Sequence, residues 1–153
     1  IETNWYENGQ KELEGNNKDD KEEGIWIGWY ESGKKKSETN FEDGKEEGIE
    51  TNWSENGQKE LEGNNKDGKR GGVWIGWYEN GQKRKEGTYK KYGFPKGVWT
   101  YWYENGQKMC EIERWVDMGR LRWISECWDE DGNECECWVS EYPSERDWSR
   151  RCK

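Results

Sequence analysis

A tryptophan–glycine frame repeated every 24 or 25 residues limits this chain to few architectures. The tripeptides Asn8-Gly9-Gln10, Ser32-Gly33-Lys34, Asn56-Gly57-Gln58, Asn80-Gly81-Gln82 and Asn105-Gly106-Gln107 place their glycines 24, 24, 24 and 25 residues apart, and Asp131-Gly132-Asn133 is a sixth copy. A tryptophan stands four residues before each glycine, at Trp5, Trp29, Trp53, Trp77, Trp102 and Trp128. Such a period belongs to stacked supersecondary units, each too small to bury its apolar face alone. A longer echo lies on top. Residues 1–38 match residues 49–86 at 29 of 38 positions, which a recently duplicated two-repeat block explains.

Each unit reads as a hairpin. Val73-Trp74-Ile75-Gly76-Trp77-Tyr78 is rich in β-branched and aromatic residues, and Lys83 to Tyr89 returns polar and extended. Asn80-Gly81 is expected to form a two-residue turn with positive φ at both positions, so Gly9, Gly33, Gly57, Gly81, Gly106 and Gly132 mark the hairpin turns. A second turn closes each unit at Asp19-Asp20, Asp43-Gly44, Asp67-Gly68 and Tyr92-Gly93. Alternation is expected to put Val73, Ile75 and Trp77 on one face and Trp74 and Tyr78 on the other, giving both faces aromatic rows. Gly28 and Gly76 are the expected places for a neighbouring ring to lie on bare backbone. The expected fold is therefore all-β, an elongated single-layer array of antiparallel hairpins of about 24 residues. Hairpin repeats run over 1–109, a degenerate last repeat and Cys-rich hairpin over 110–137, and a tail or cap over 138–153.

Composition restricts the core and the chemistry. Ile, Leu and Val number 14, Phe 2 and Ala none, against 13 Trp and 8 Tyr, so any core is aromatic and thin. The absence of His removes an imidazole base, a His metal ligand and a Ser-His-Asp triad. With 34 acidic and 25 basic side chains the net charge is -9, which argues against nucleic acid as the main partner. No apolar run has the length of a membrane helix, so no membrane insertion is expected. Ile1 suits either a processed secretory protein or a trimmed chain.

At Trp-Tyr-Glu-Asn-Gly-Gln-Lys, Glu-Gly-Asn-Asn-Lys-Asp-Gly-Lys and Gly-Val-Trp the chain resembles the variant MORN repeat, found in bacterial proteins often labelled YwqK-like antitoxins. The resemblance covers roughly residues 1–137, where the closing Trp128-Asp129-Glu130-Asp131-Gly132-Asn133 is similar to the end of such arrays. It implies an elongated β structure used for contact with partners. The chain departs from the pattern in alternate units. Glu2 and Glu50 stand where Trp26, Trp74 and Trp99 stand, Asn17 and Asn65 replace the aromatic at Phe41 and Tyr89, and Asp20 replaces a turn glycine.

The sharpest chemical candidates are Cys110, Cys127, Cys135, Cys137 and Cys152, all in the last 44 residues. A disulfide staple of the terminal hairpin and tail is the favoured reading, with free thiols and a bound metal as alternatives. If Asp131-Gly132 is the turn, Trp128 is expected to pair with Cys135, which puts Cys135 and Cys137 on the face opposite Cys127. No metal site is assigned and no cofactor is expected. Asp129 to Glu134 invites a calcium reading, but its glycine is fourth and no glutamate closes the loop at twelve, so a turn is the simpler reading. Acid pairs such as Glu22-Glu23 and Glu46-Glu47 are expected by chance among so many acids and do not make a glycosidase. The Arg-rich tail from Tyr142 to Lys153 reads as a solvated cap.

The function expected is non-enzymatic: a module for protein interaction or scaffolding, with self-association through open sheet edges. An antitoxin-like inhibitor of a cationic toxin and a carbohydrate binder using the Trp rows are the alternatives. Disulfides would lean the location toward the cell envelope or the outside, and free thiols toward the cytoplasm.

Overall fold

The computed structural model describes residues 1–90, 93–117 and 120–135. Among them, twelve strands form one antiparallel sheet in chain order. They are β1 (Glu2–Trp5), β2 (Lys11–Lys18), β3 (Lys21–Trp29), β4 (Lys35–Glu42), β5 (Lys45–Trp53), β6 (Lys59–Lys66), β7 (Lys69–Trp77), β8 (Lys83–Tyr89), β9 (Pro95–Trp102), β10 (Lys108–Asp117), β11 (Arg120–Trp128) and β12 (Glu134–Cys135). The expected all-β hairpin array is what the chain forms. At about 4.8 Å per strand it extends ~50 Å across the strands.

The two turn types are the reverse of the sequence expectation. At the Asn-Gly sites positive φ falls on the glycine alone, as at Gly9 (82°) and Gly81 (83°). Gly81 N–H donates to Tyr78 O at 2.9 Å and Tyr78 N–H to Gln82 O at 2.9 Å, which closes a three-residue loop over Glu79, Asn80 and Gly81. The Asn80 side chain accepts from Gln82 N–H at 2.9 Å, so asparagine braces the loop without leaving its ordinary backbone region. Both positive φ angles occur instead in the second turn: Asp43 (57°) with Gly44 (76°), Asp67 (53°) with Gly68 (72°), and Asp19 (51°) with Asp20 (60°). The flanking pairs Glu42↔Lys45, Lys66↔Lys69 and Lys18↔Lys21 confirm two-residue loops. The turn before β9 is longer, with Lys90 N–H on Phe94 O and Gly93 N–H on Lys90 O, which accounts for the 25-residue step.

Packing on a single layer depends on rings lying over backbone. Trp26, Trp74 and Trp99 are 6%, 1% and 4% exposed. Each lies against a glycine of the preceding strand, Gly15, Gly63 and Gly87, where an added Cβ would stand 2.1 Å from ring carbon Cδ2. Gly28 and Gly76, expected to receive rings, meet Ser37 Oγ and the Lys85 stem instead. The indole N–H groups of Trp26 and Trp74 donate to Asn16 O and Asn64 O, each at 3.2 Å. Phe41 meets Trp26, and Tyr89 meets Trp74, edge-on with centroids 6.2 Å apart. In the alternate hairpins the same two positions are polar and bonded to each other: Asn17 Nδ2 donates to Glu2 at 2.5 Å and Asn65 Nδ2 to Glu50 at 2.8 Å. Asn65 is 1% exposed, so this pair fills an interior position.

Candidate functional site

The sheet presents two unlike faces. Register fixes their membership, because directly paired residues share a face. One row runs Glu2, Gly15, Thr39, Glu50, Gly63, Trp74 and Gly87, and its face holds the buried tryptophans. On the opposite face Thr3, Glu14, Ile27, Glu38, Thr51, Glu62, Ile75, Glu86, Thr100 and Glu111 pair in succession.

The frame tryptophans belong with that second row. Trp5 is 57% exposed, and Trp29, Trp53, Trp77, Trp102 and Trp128 are half-buried. A lysine ammonium lies over the ring of the following hairpin's tryptophan in each of the first five units: Lys11 over Trp29, Lys35 over Trp53, Lys59 over Trp77, Lys83 over Trp102 and Lys108 over Trp128, at 5.6, 5.2, 6.0, 5.6 and 5.4 Å from the centroid. The same lysines pair with Glu14, Glu38, Glu62, Glu86 and Glu111. Each cation therefore neutralises a carboxylate and covers a ring, an arrangement worth more than an isolated surface pair because the stem is held by packing. A ring already carrying an ammonium is a poor platform for a sugar.

The loops form a third ladder. Tyr6, Tyr30, Tyr78 and Tyr103 donate their hydroxyls to the carbonyls of Trp29, Trp53, Trp102 and Trp128 at 2.8, 2.7, 2.7 and 3.1 Å. Asn8, Asn56, Asn80 and Asn105 donate to Glu31, Glu79, Glu104 and Glu130 carbonyls one loop further on, and Lys34 reaches Glu55 O in the unit that has Ser32. Desolvation, with nearby carboxylates second, raises the Tyr6, Tyr30 and Tyr103 phenols above their ordinary value and keeps them neutral donors. The turn glycines Gly9, Gly33, Gly57, Gly81, Gly106 and Gly132 all have positive φ and thus set the loop conformation on which this ladder depends.

The surface that sequence reasoning missed is aliphatic. Ile1, Ile25, Ile49, Val73 and Val98 are 92%, 56%, 66%, 52% and 49% exposed. They occur once per unit and border the Thr/Ile–Glu row. Successive members stand two strands apart, ~10 Å. The signal was present as Gly24-Ile25, Gly48-Ile49, Gly72-Val73 and Gly97-Val98, each an aliphatic residue just after a positive-φ glycine.

The cysteines occupy the last hairpins. Cys127 pairs with Cys110 on one side and with Cys135 on the other, so the three stand in one row across β10, β11 and β12. Trp128 pairs with Glu134 and not with Cys135, which puts Cys135 on the same face as Cys127 and corrects the sequence expectation. The cause is the three-residue loop that this hairpin shares with the others, with Asp129 N–H on Asn133 O at 2.9 Å and Gly132 N–H on Asp129 O at 3.0 Å; within it the Asp129 carboxylate accepts from the Asp131 and Asn133 amides at 3.0 and 2.8 Å. Those bonds, led by the Asn133 side chain, hold its carboxyl below the ordinary aspartate value. Cys127 and Cys135 each take part in a disulfide, and Cys110 is 0% exposed in a cluster with Ile112. Cys137, Cys152 and the tail lie outside the described residues. No group of three metal-ligating side chains occurs among the described residues.

Segments 22–43, 70–91 and 95–115 match the MORN repeat variant. The matches fall on successive-strand pairs of the array, β3–β4, β7–β8 and β9–β10. Repeats of this variant are in general non-catalytic modules that bind protein or membrane. No curated protein matches the chain.

Proposed function

We propose that the chain is a non-enzymatic module for protein interaction, using the face that carries the exposed aliphatic stripe. The observation that carries this reading is the row Ile1, Ile25, Ile49, Val73 and Val98, all at least half exposed or close to it. Water-facing β-branched side chains repeated on a braced lattice are costly unless another surface covers them. The partner is a protein with a continuous apolar ridge, bordered by polar groups that meet the neutralised Lys–Glu pairs.

Charge supports a second reading on the same array. Residues 1–65 carry 18 acidic and 8 basic side chains, a local balance of -10, more negative than the whole chain. A cationic protein would be steered to these hairpins, as an antitoxin-like inhibitor requires.

A photo-crosslinking residue at Ile49 of the full chain, in its source cells, tests the first reading. The expected result is one defined protein adduct, absent when Ile25 and Val73 are both changed to Lys and retained when the loop residue Glu79 is changed to Lys. The purified adduct partner should then bind the wild-type chain and not the stripe variant. An adduct set unaffected by the stripe changes refutes the reading. Adducts abolished by moderate salt, with the stripe variant still active, favour the cationic partner.

A further inference from the structure

The aliphatic stripe is a row of separate points. Ile25, Ile49 and Val73 stand at the middle of the nine-residue strands β3, β5 and β7, and Val98 continues the row on β9. On the strands between them the register sets polar residues: Asn40 opposite Ile25, Asn64 opposite Ile49 and Thr88 opposite Val73. Exposed aliphatic side chains therefore recur every two strands, ~9.6 Å apart, with a polar residue in each gap.

That period selects the shape of what covers the row. An α-helix laid across the strands presents one side chain per heptad to the same line, and seven residues rise about 10.5 Å. The two periods coincide when the helix is inclined by roughly 25° to the row. From Ile25 to Val98 the row runs ~29 Å, the rise of about 20 helical residues. A helix about 10 Å wide covers the row and leaves the Lys–Glu pairs of the same face in water. A second sheet laid on this face would bury those pairs as well, at a desolvation cost that their mutual attraction does not repay.

Charge gives the helix a direction. Two positions before each aliphatic residue, on the same strand and face, stand Glu23, Glu47, Gly71 and Lys96. Glu23 accepts from Asp43 N–H at 3.1 Å and Glu47 from Asp67 N–H at 2.9 Å, so both carboxylates are fixed in place, the second shared with Lys66. The row thus runs from carboxylates beside Ile25 and Ile49 to an ammonium beside Val98. A helix is positive at its N-terminus and negative at its C-terminus, which fits this gradient in one direction only.

We infer that the partner covering the stripe binds through an amphipathic α-helix, with one apolar residue per heptad on Ile25, Ile49, Val73 and Val98, a basic N-terminal half, and its N-terminus toward β3. The inference rests on the protein-interaction reading above and names the form and polarity of the partner's contact. Recognition is by apolar anchors at heptad spacing, with charge setting the orientation.

The probe is a synthetic helical peptide of four heptads, with leucine opening each heptad, alanine and glutamine elsewhere, lysines in the first half and a nitroxide at its N-terminus. Titrated into the full chain and followed by amide chemical shifts, it should bind saturably and broaden the amides around Ile25 more than those around Val98. A peptide of the same composition with its leucines distributed around the helix should bind at least about tenfold more weakly. The double variant Ile25→Lys, Val73→Lys should weaken the first peptide by a similar factor with an unchanged circular dichroism spectrum, since both positions are exposed. Glu79→Lys should bind it as the wild type does. Equal binding of the two peptides overturns the inference, and so does broadening strongest at Val98. If neither peptide binds while the Ile49 adduct still forms and still needs Ile25 and Val73, the helix is overturned and the stripe reading stands. If the adduct is also indifferent to those residues, both readings fall.

Discussion

Replacing Gly63 with alanine should cost far more stability than a methyl group suggests. The new Cβ would sit 2.1 Å from Trp74 Cδ2 and 2.3 Å from Cε2, where carbon contacts need about 3.5 Å. Something must move by more than an ångström. The ring is confined by Arg70 at 4.3 Å, by the edge of Tyr89 and by its N–H bond to Asn64 O at 3.2 Å. If the sheet yields, the cost is that of overpacking, about 1–3 kcal/mol. If the ring is expelled, roughly 200 Å² returns to water, about 5 kcal/mol at 25 cal/mol per Å². Alanine recovers about 0.5–1 kcal/mol of backbone entropy in a strand. The expected net loss is about 2–4 kcal/mol, which for a chain of this size lowers Tm by roughly 5–15 °C.

The matched control is Gly76→Ala. Its Cβ would meet Lys85 Cγ at 3.0 Å and Cε at 3.3 Å, the middle and far end of a flexible stem that can swing away. Thermal and denaturant unfolding by circular dichroism should therefore separate the two variants by at least about 1.5 kcal/mol. The cost at Gly63 should also vanish in a Trp74→Glu, Tyr89→Asn background, which converts this hairpin to its neighbour's polar type with no ring over position 63. Equal stability of Gly63→Ala and Gly76→Ala would refute the ring-over-glycine account of the core.

Three further outcomes follow from the same geometry. Tyr30→Phe strips the donor from the Trp53 carbonyl and should cost about 1 kcal/mol in denaturant unfolding, with Trp53 amide exchange accelerated. Asp20→Gly relieves a non-glycine residue at φ 60° in a turn whose counterparts carry Gly44 and Gly68, and should raise stability by about 0.5–1 kcal/mol. The Glu47 carboxyl is held below its ordinary value of 4.5, first by the Asp67 amide and then by Lys66. A depressed folded-state pKa stabilises above the unfolded value and the benefit is lost as pH falls through the folded one, so Glu47→Gln should flatten the pH dependence of stability below about pH 4.5.

How far these features were legible in the sequence depends on what each rests on. The hairpin array was legible because Trp and Gly recur at fixed spacing, and periodicity is a property of the chain itself. Turn type was misread because Asn80-Gly81 satisfies a two-residue turn in isolation, whereas the stack rewards a three-residue loop that frees Asn80 to bond the Glu104 carbonyl next door. The ring-bearing glycines were misassigned because Gly28 and Gly76 share a strand with a tryptophan. The ring crosses to the preceding strand, and only register reveals that Gly63 lies opposite Trp74. Cys135 was placed on the wrong face by one residue, the difference between the two-residue turn assumed at Asp131-Gly132 and the three-residue loop that closes this hairpin like the others.

The alternation of Trp–Phe or Trp–Tyr hairpins with Glu–Asn hairpins follows from the same geometry. A single-layer sheet has no second layer to absorb bulk, so each indole needs a bare glycine on the strand before it. Trp26 has Gly15 and Trp74 has Gly63, whereas Glu50 follows Thr39, a residue no ring could cover. Glu50 then needs a donor in the position where Trp26 has Phe41, and Asn65 is that donor. The substitutions at positions 39, 50 and 65 are therefore one coupled change. Any one of them made alone in an aromatic hairpin leaves a ring without a floor, a carboxylate without a donor or an amide without its acceptor, the unpaired carboxylate being the costliest fault. Exchanging all three together between a polar and an aromatic hairpin should cost less than the sum of the single changes, and strict additivity in unfolding free energy would show that the positions are independent.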